Sequence, residues 1–394
     1  MRRTKIFYFI PNLQQGGTEG QILQLIKDLP PRFEPVLCVY NADEIFFDAR
    51  CPPGQPAHTL GVRRMGPAAL ARLTEILRRE KPDILHSYRD KANFWARLAG
   101  ARAQVPITIT ACRNRMMELR YLLTEKVMSR FSRLILVNSI GVKRELTRYG
   151  RVPPEKIRVI YNLLDIEYFR PPSEAERAEA RARWELRPGQ RAFVVPGRIG
   201  LQKHQLGILW AMRRLARAGG WPADAVVLFA GRERDRLTSA LVHRLARDPR
   251  LRDRVRFLGA VKDVRSLYWA SDVLLIPSLY EGLANAALEG CAAGLPAILS
   301  RAANIDGIVD PGQTGWQVPT LAVGPLSRAL DGALATSSDG LAEMGRRSRE
   351  RVARMFAPRE NHVLDQMVAI YDELLASPNT PPAGKSKAAE STAA

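Results

Sequence analysis

Short runs of branched apolar residues recur along this chain, and the stretches between them carry apolar positions every three or four residues. In the N-terminal half the runs fall at 5–10, 36–40, 82–86, 107–110, 134–138 and 156–160, each the length of a buried strand. Stretches at 21–28, 68–80, 93–101 and 140–149 read as helices. Strands alternating with helices predict a doubly wound α/β sheet. Residues 41–66 carry neither period. Pro171-Pro172 and the charged helix 174–184 form a linker, and the alternation then restarts. Strands are predicted at 192–196, 225–230, 255–258, 272–276 and 297–300, with helices at 205–218, 237–246, 264–270 and across the alanine-rich 284–293. Helices at 341–355 and 361–375 follow. The pattern gives two doubly wound domains, 1–170 and 171–357, a last helix within 358–376, and a Pro-, Ala- and Ser-rich tail, 377–394, expected to be disordered.

A length of 394 residues allows two or three such domains with ample core. The net charge of +20 changes the picture more, because it implies anionic partners: nucleic acid, phosphorylated substrate or acidic lipid. Nucleic acid is the weakest of these, since the arginines are dispersed rather than interleaved with aromatic platforms and no recognised binding motif occurs. No apolar run approaches the roughly 18 residues of a membrane span. Residues 6–10 are too short for a signal-peptide core, so a cytoplasmic protein is expected. Cysteines 38, 51, 112 and 291 are scattered, which argues for reduced thiols and against a zinc site.

Candidate chemistry gathers after the strand ends. Between the strands 272–276 and 297–300, Glu281 and Glu289 lie eight residues apart. Eight helical residues rise about 12 Å and return to within roughly 80° of the same face. Gly282, Leu283, Ala284 and Asn285 form a helix mouth whose backbone N–H groups suit a phosphate. Taken alone, the pair reads better as two solvated helix-terminus glutamates. Gly16-Gly17 before the first helix is a phosphate-cradle candidate, although Gly-Gly pairs commonly only turn the chain. His86 ends the strand 82–86, where ligands bind in a doubly wound sheet; a lone histidine there is more often structural. Arg198 and Lys203 follow the strand 192–196 and can hold two phosphate oxygens at once, though a chain this basic places cations on loops by chance. Residues 113–133 interleave six basic side chains with Met, Leu, Tyr, Val and Phe. That is either a solvated face over an ordinary core or a helix that lies on an anionic membrane.

In combination these residues resemble the retaining glycosyltransferases of family 4 (glycosyl transferases group 1). Glu281 and Glu289 fit that family's E-x7-E motif, and the likeness covers about residues 5–375. It implies the GT-B fold: two Rossmann-like domains facing across a cleft, with the last helix packing back on the first. It further implies a nucleotide-sugar donor, UDP- or GDP-linked, held mainly by the second domain, and a saccharide or lipid-linked acceptor entering from the first. Gly16 and Gly17 would face the donor phosphates and the acceptor, and His86 the transferring sugar. Arg198 and Lys203 would hold the diphosphate, Glu281 the sugar hydroxyls and Glu289 the ribose, while the nucleobase would pack at Val261. Retention of anomeric configuration and a role in polysaccharide or glycolipid synthesis come with the likeness, as does peripheral association with the inner membrane face. The chain departs from the family pattern at Tyr161 and Leu163, at His204 in place of a common glycine, and at Tyr88 in place of a second histidine. No Asp-x-Asp occurs, so neither a metal-bridged diphosphate nor another cofactor is expected. A sugar-nucleotide epimerase of the same two-domain type and a non-catalytic nucleotide-binding subunit share these features and stay open.

Overall fold

The computed structural model describes residues 2–13, 17–41, 57–113, 119–162, 164–357 and 362–377. It divides into two compact units, residues 1–162 with 361–394, and residues 163–360. The first contains β1 (Thr4–Ile10), α1 (Gly17–Asp28), β2 (Phe33–Val39), β3 (Ala57–Thr59), α2 (Pro67–Glu80), β4 (Ile84–Tyr88), α3 (Asp90–Ala103), β5 (Ile107–Cys112), α4 (Leu119–Met128), β6 (Leu134–Val137), α5 (Ile140–Arg148) and β7 (Ile157–Val159). The second contains α6 (Glu174–Arg183), β8 (Arg191–Pro196), α7 (Gln205–Arg217), β9 (Ala225–Ala230), α8 (Arg236–Ala246), β10 (Val255–Phe257), α9 (Val264–Ala270), β11 (Val273–Ile276), α10 (Asn285–Ala292), β12 (Ala297–Ser300), β13 (Gly315–Val318), α11 (Val323–Ala335) and α12 (Ser338–Phe356). The last helix, α13 (His362–Ala376), belongs to the first unit.

Both sheets are parallel throughout, in the orders β3-β2-β1-β4-β5-β6-β7 and β10-β9-β8-β11-β12-β13. In each the chain winds outward from one central strand, returns, and winds the other way. That leaves a topological switch point between β1 and β4 in the first unit and between β8 and β11 in the second.

Alternation along β1 sorts the first unit's core into two layers. Ile6, Tyr8 and Ile10 pack with α1 and with Met367, Ile370, Tyr371 and Leu374 of α13. Phe7 and Phe9 pack with Leu70, Leu73 and Leu77 of α2 and with Ala92, Ala96 and Ala99 of α3. A buried ion pair fixes α4 against this body. Arg97 of α3 donates from Nη1 and Nη2 to the two carboxylate oxygens of Glu125, at 2.7 and 3.0 Å. Its Nε and Nη2 also donate to Ser132 Oγ and Thr110 Oγ1, at 2.8 and 3.1 Å. In the second unit Phe193, Val195, Val227, Phe229, Val273 and Leu275 pack with α7 and with Leu326, Leu330 and Ala333 of α11.

Four sequence expectations are corrected. The boundary lies at 162/163 rather than 170/171, because residues 164–170 are tied to the second unit. Arg349 Nη1 donates to Ile166 O (2.9 Å), Trp269 Nε1 donates to Arg170 O (2.8 Å), and the Arg265 guanidinium sits 4.4 Å from the Tyr168 ring centroid. The patternless stretch 41–66 contains the edge strand β3. Helix α11 was not anticipated, since Gly324, Pro325 and Gly332 break its apolar period. Pro325 is tolerated in the first turn, and at Gly332 a Cβ would press on Trp316 Nε1 at 3.4 Å. Finally, the strand carrying His86 runs on to Tyr88, so His86 is interior to β4 and not its last residue.

Candidate active site

The switch point of the second unit brings together the loops that follow β8 and β11. After β8 the chain turns at Gly197, whose φ of +129° few L side chains adopt. Gly197 N donates to Ala230 O at 2.8 Å, and a Cβ on Gly231 would lie 2.2 Å from Gly197 O, so both strand ends need glycine to approach this closely. The Lys203 side chain passes over Gly197, where a Cβ would meet its Cε at 2.7 Å. Gln205, fully buried at the start of α7, braces the loop: Gly200 N donates to its Oε1 (3.3 Å) and its Nε2 donates to Arg198 O (3.0 Å). His204, at φ 55° and ψ 37°, holds the left-handed position that favours glycine. Its ring fills the space above Gly207, and burial holds the imidazole below its ordinary pKa.

From this loop Lys203 Nζ reaches Glu281 Oε1 at 2.7 Å. Glu281 is only 7% exposed. Two further bonds lock the β8 loop to the β11 loop: Leu279 N donates to Gln202 O (2.8 Å), and Gln202 Nε2 donates to Tyr280 O (3.1 Å). Arg234 Nη1 donates to Gln202 Oε1 at 3.1 Å, which adds a cation from the loop after β9. The residues 281–284 precede α10 rather than forming its first turn, so the two-turn helical spacing expected for Glu281 and Glu289 does not apply. Glu289 lies inside α10 and accepts from the Tyr268 hydroxyl at 3.1 Å. Burial raises its carboxyl above the ordinary range, against the pull of the Tyr268 bond and the Lys203 charge. One ammonium thus acts on both acids. The mouth is also narrower than expected. Leu283 and Ala284 are buried, no side chain caps α10, and the Asn285 N–H is taken by Leu283 O at 2.9 Å. Gly282 and Val261 are half-buried, Val261 in the loop after β10.

In the first unit Gly16 lies outside the described residues, and Gly17 opens α1. His86 is completely buried on the α13 side of the sheet. Its Nδ1 lies 2.8 Å from the Tyr371 hydroxyl, which lies 3.0 Å from that of Tyr8. Its ring stacks on Tyr88 with centroids 4.4 Å apart, and its Nε2 is buried without a hydrogen-bond partner. Burial, helped by the Arg113 charge, lowers its pKa to about 3 and keeps the imidazole neutral. The residue at the carboxyl end of β4 is Tyr88, with the Arg113 guanidinium 5.3 Å from its ring centroid and Arg113 Nη1 donating to Asn162 Oδ1 at 3.0 Å. Sequence reading missed Gln202, Gln205 and Tyr268. Gln205 and Tyr268 sit on helices otherwise read as core, and only the fold brings Gln205 to the Arg198 loop and Tyr268 to Glu289.

A doubly wound parallel sheet with a lysine, an arginine-bearing loop and an acid at its switch point has the architecture of the nucleotide-binding α/β proteins. Residues 190–336 match the family described as glycosyl transferases group 1, and residues 15–168 match glycosyltransferase family 4. The chain belongs to this family of glycosyltransferases. It is 28% identical over 247 residues to the Escherichia coli UDP-Gal:alpha-D-GlcNAc-diphosphoundecaprenol alpha-1,3-galactosyltransferase, a match spanning 61% of this chain and 62% of that protein. It is also 28% identical over 330 residues to the D-inositol 3-phosphate glycosyltransferase of Gordonia bronchialis, spanning 78% of this chain and 70% of that one. Among solved structures, Anabaena HepE in complex with UDP and glucose superposes with a TM-score of 0.80 at 17% identity, over 95% of this chain and all of that one. Sucrose-phosphate synthase from Thermosynechococcus elongatus superposes at 0.74 with 20% identity, over 95% of this chain and 100% of that one. These likenesses fix the fold as GT-B.

Proposed function

We propose that the chain transfers a sugar from a nucleoside diphosphate sugar, UDP- or GDP-linked, to a saccharide or lipid-linked acceptor, with retention at the anomeric carbon. The observation that carries this reading is the Lys203–Glu281 contact of 2.7 Å at the switch point of the second unit. As the bond between the anomeric carbon and the diphosphate oxygen breaks, negative charge grows on the diphosphate. Lys203 and Arg198 stand on one loop to receive it. The new bond forms from the acceptor oxygen to the same carbon, and the acceptor's proton passes to the leaving phosphate. A preorganised cation or donor at such a position contributes about 3–4 kcal/mol of transition-state stabilisation.

Glu281 is assigned to the sugar hydroxyls and Glu289 to the ribose, with Tyr268 orienting Glu289. Gly282, Leu283, Ala284 and Asn285 border the diphosphate, and Val261 the base. His86, which the family likeness sets beside the transferring sugar, is completely buried against Tyr371 and Tyr88 and is assigned no sugar contact. The E. coli relative's name specifies a diphosphoundecaprenol acceptor, which supports the lipid-linked reading. So does α4 with the short turn after it, where Leu123, Val127 and Phe131 are 66, 47 and 38% exposed beside exposed Lys126 and Arg130. Such a stripe suits an anionic membrane surface; no helix among the described residues is long and apolar enough to cross one.

The test combines thermal shifts with UDP-, GDP- and ADP-sugars and transfer assays on Lys203→Ala and Glu281→Ala. Donor binding raises the melting temperature of the natural chain. Each substitution lowers transfer by about 10²–10³-fold with the fold intact. Full transfer by both variants ends the reading, and conversion of donor without acceptor replaces it with the epimerase.

A further inference from the structure

The opposite end of the second unit's sheet carries another concentration of positive charge. There the amino ends of β8, β11 and β12 meet α6, α9 and the start of α12 around an open cavity of about 680 Å³. Arg177, Arg181, Arg191, Arg346 and Arg349 line it, against the acids Asp272 and Asp339.

Most of the bonds that hold these guanidiniums go to neutral carbonyls. Arg181 donates to Ala270 O, Arg187 O and Gln190 O at 3.0, 3.0 and 2.7 Å. Arg191 donates to Thr336 O at 3.1 Å, and Arg349 to Ile166 O and Ala292 O at 2.9 and 2.8 Å. Arg177 donates to Trp269 O and Ser271 O, and pairs with Asp272 at 2.7 Å. A carbonyl orients a guanidinium without cancelling its charge. Arg346 is paired with Glu343 and Glu350, and Arg349 with Glu167 at 3.4 Å. The charge left over is that of Arg177, Arg181 and Arg191, gathered around the single carboxylate of Asp272. The strain is visible at Arg181. Burial lowers its pKa, Asp272 opposes the fall, and repulsion from Arg177 and Arg191 adds to it. Ser338 and Asp339 bring the amino end of the 19-residue helix α12 to the same wall, adding its positive dipole end. A preorganised site with three fixed guanidiniums around one aspartate and a helix amino end beside them selects a compact oxyanion.

We propose that this cavity binds a phosphate or diphosphate group, as a site separate from the one at Lys203 and Glu281. Its walls touch the candidate active site from behind. Tyr268 lines the cavity and holds Glu289, and Arg349 bonds the carbonyl of Ala292 at the end of α10. An anion seated here therefore acts on the helix that carries Glu289.

The test is calorimetric titration of the full-length Lys203→Ala chain, which lacks the ammonium of the other site, with inorganic pyrophosphate and, separately, with UDP. The expected result is one equivalent of pyrophosphate bound, with an affinity that falls as salt rises. Adding Arg191→Gln lowers that affinity at least tenfold. Should Arg191→Gln disturb folding, Ala342→Glu serves instead, because it sets a carboxylate on the same wall from an exposed position of α12. UDP binding with the same sensitivity shows that the diphosphate of a nucleotide is accepted. Pyrophosphate binding alone with that sensitivity shows that the free anion is the ligand. No binding by the Lys203→Ala chain, or binding that Ala342→Glu leaves unchanged, overturns the proposal.

Discussion

The charges held most tightly in the first unit are a pair buried between α3 and α4. Arg97 and Glu125 are 1 and 4% exposed, and the guanidinium meets the carboxylate with two parallel bonds. Taking both charges out of water is costly, and their attraction inside the protein roughly balances that cost. Removing one partner leaves the other buried and uncompensated, which costs about 3–5 kcal/mol. Arg97→Met or Glu125→Leu alone is therefore expected to lower stability by that amount. For a unit of this size it corresponds to roughly 6–20 °C in melting temperature. The double variant is different. Thr110 Oγ1 and Ser132 Oγ lie 3.0 Å apart and keep each other as partners when the guanidinium is gone, and the site is refilled with apolar volume. We expect it to fall within about 1 kcal/mol of the natural chain. Calorimetric melting, with hydrogen–deuterium exchange on α3 and α4 to assign the transition to the first unit, measures all three. Equal losses in the single and double variants, with no coupling between the sites, would refute the reasoning.

Gly197→Ala is expected to cost roughly 1–3 kcal/mol in backbone strain, because its φ is +129°, and to push Lys203 off Glu281. Donor-induced thermal shift should shrink accordingly, and should shrink no further when Gly197→Ala is added to Lys203→Ala. Tyr268→Phe removes a bond that holds the Glu289 carboxyl down. Its pKa then climbs further, and the donor KM should begin to rise at a higher pH as conditions turn acidic; an unmoved KM profile tells against the role of Glu289. At His86 the folded state refuses a proton until the pH falls to about 3, whereas the unfolded chain takes one near 6.5. Stability is therefore lost below about pH 6.5, by roughly 1.4 kcal/mol per pH unit as far as pH 3. The stability gap between the natural chain and His86→Asn, followed by urea unfolding, should narrow steadily over that window, and a constant gap would show that the imidazole titrates normally.

Periodicity carried most of the fold, because nearly every strand here is buried on both faces and reads as an unbroken apolar run. It failed where the physics is not periodic. Helix α11 escaped because Gly332 makes room for Trp316 and Pro325 sits in a first turn that tolerates it. Arg97 and Glu125 escaped because each looks like a solvated helical charge until α3 and α4 are packed together. His86 was placed two residues too far along its strand: without the neighbouring strands, nothing in 82–88 says which residue is the last to be paired. The register does, opposing His86 to Tyr8 on one side and Ile109 on the other. The lysine and the acids fared differently. Lys203 follows β8 and Glu281 follows β11, strands that stand side by side although β9 and β10 separate them in the chain. Any sequence that winds its sheet outward from β8 and then reverses must bring those two loops together. Their contact is thus a consequence of strand order, and short strands with short loops leave it little room to go elsewhere. What strand order does not set is the state of each acid. Glu281 is fixed by a lysine that only a glycine at 197 lets through, and Glu289 by a tyrosine from α9, so the chemistry of the pair depends on residues outside the motif that points to it.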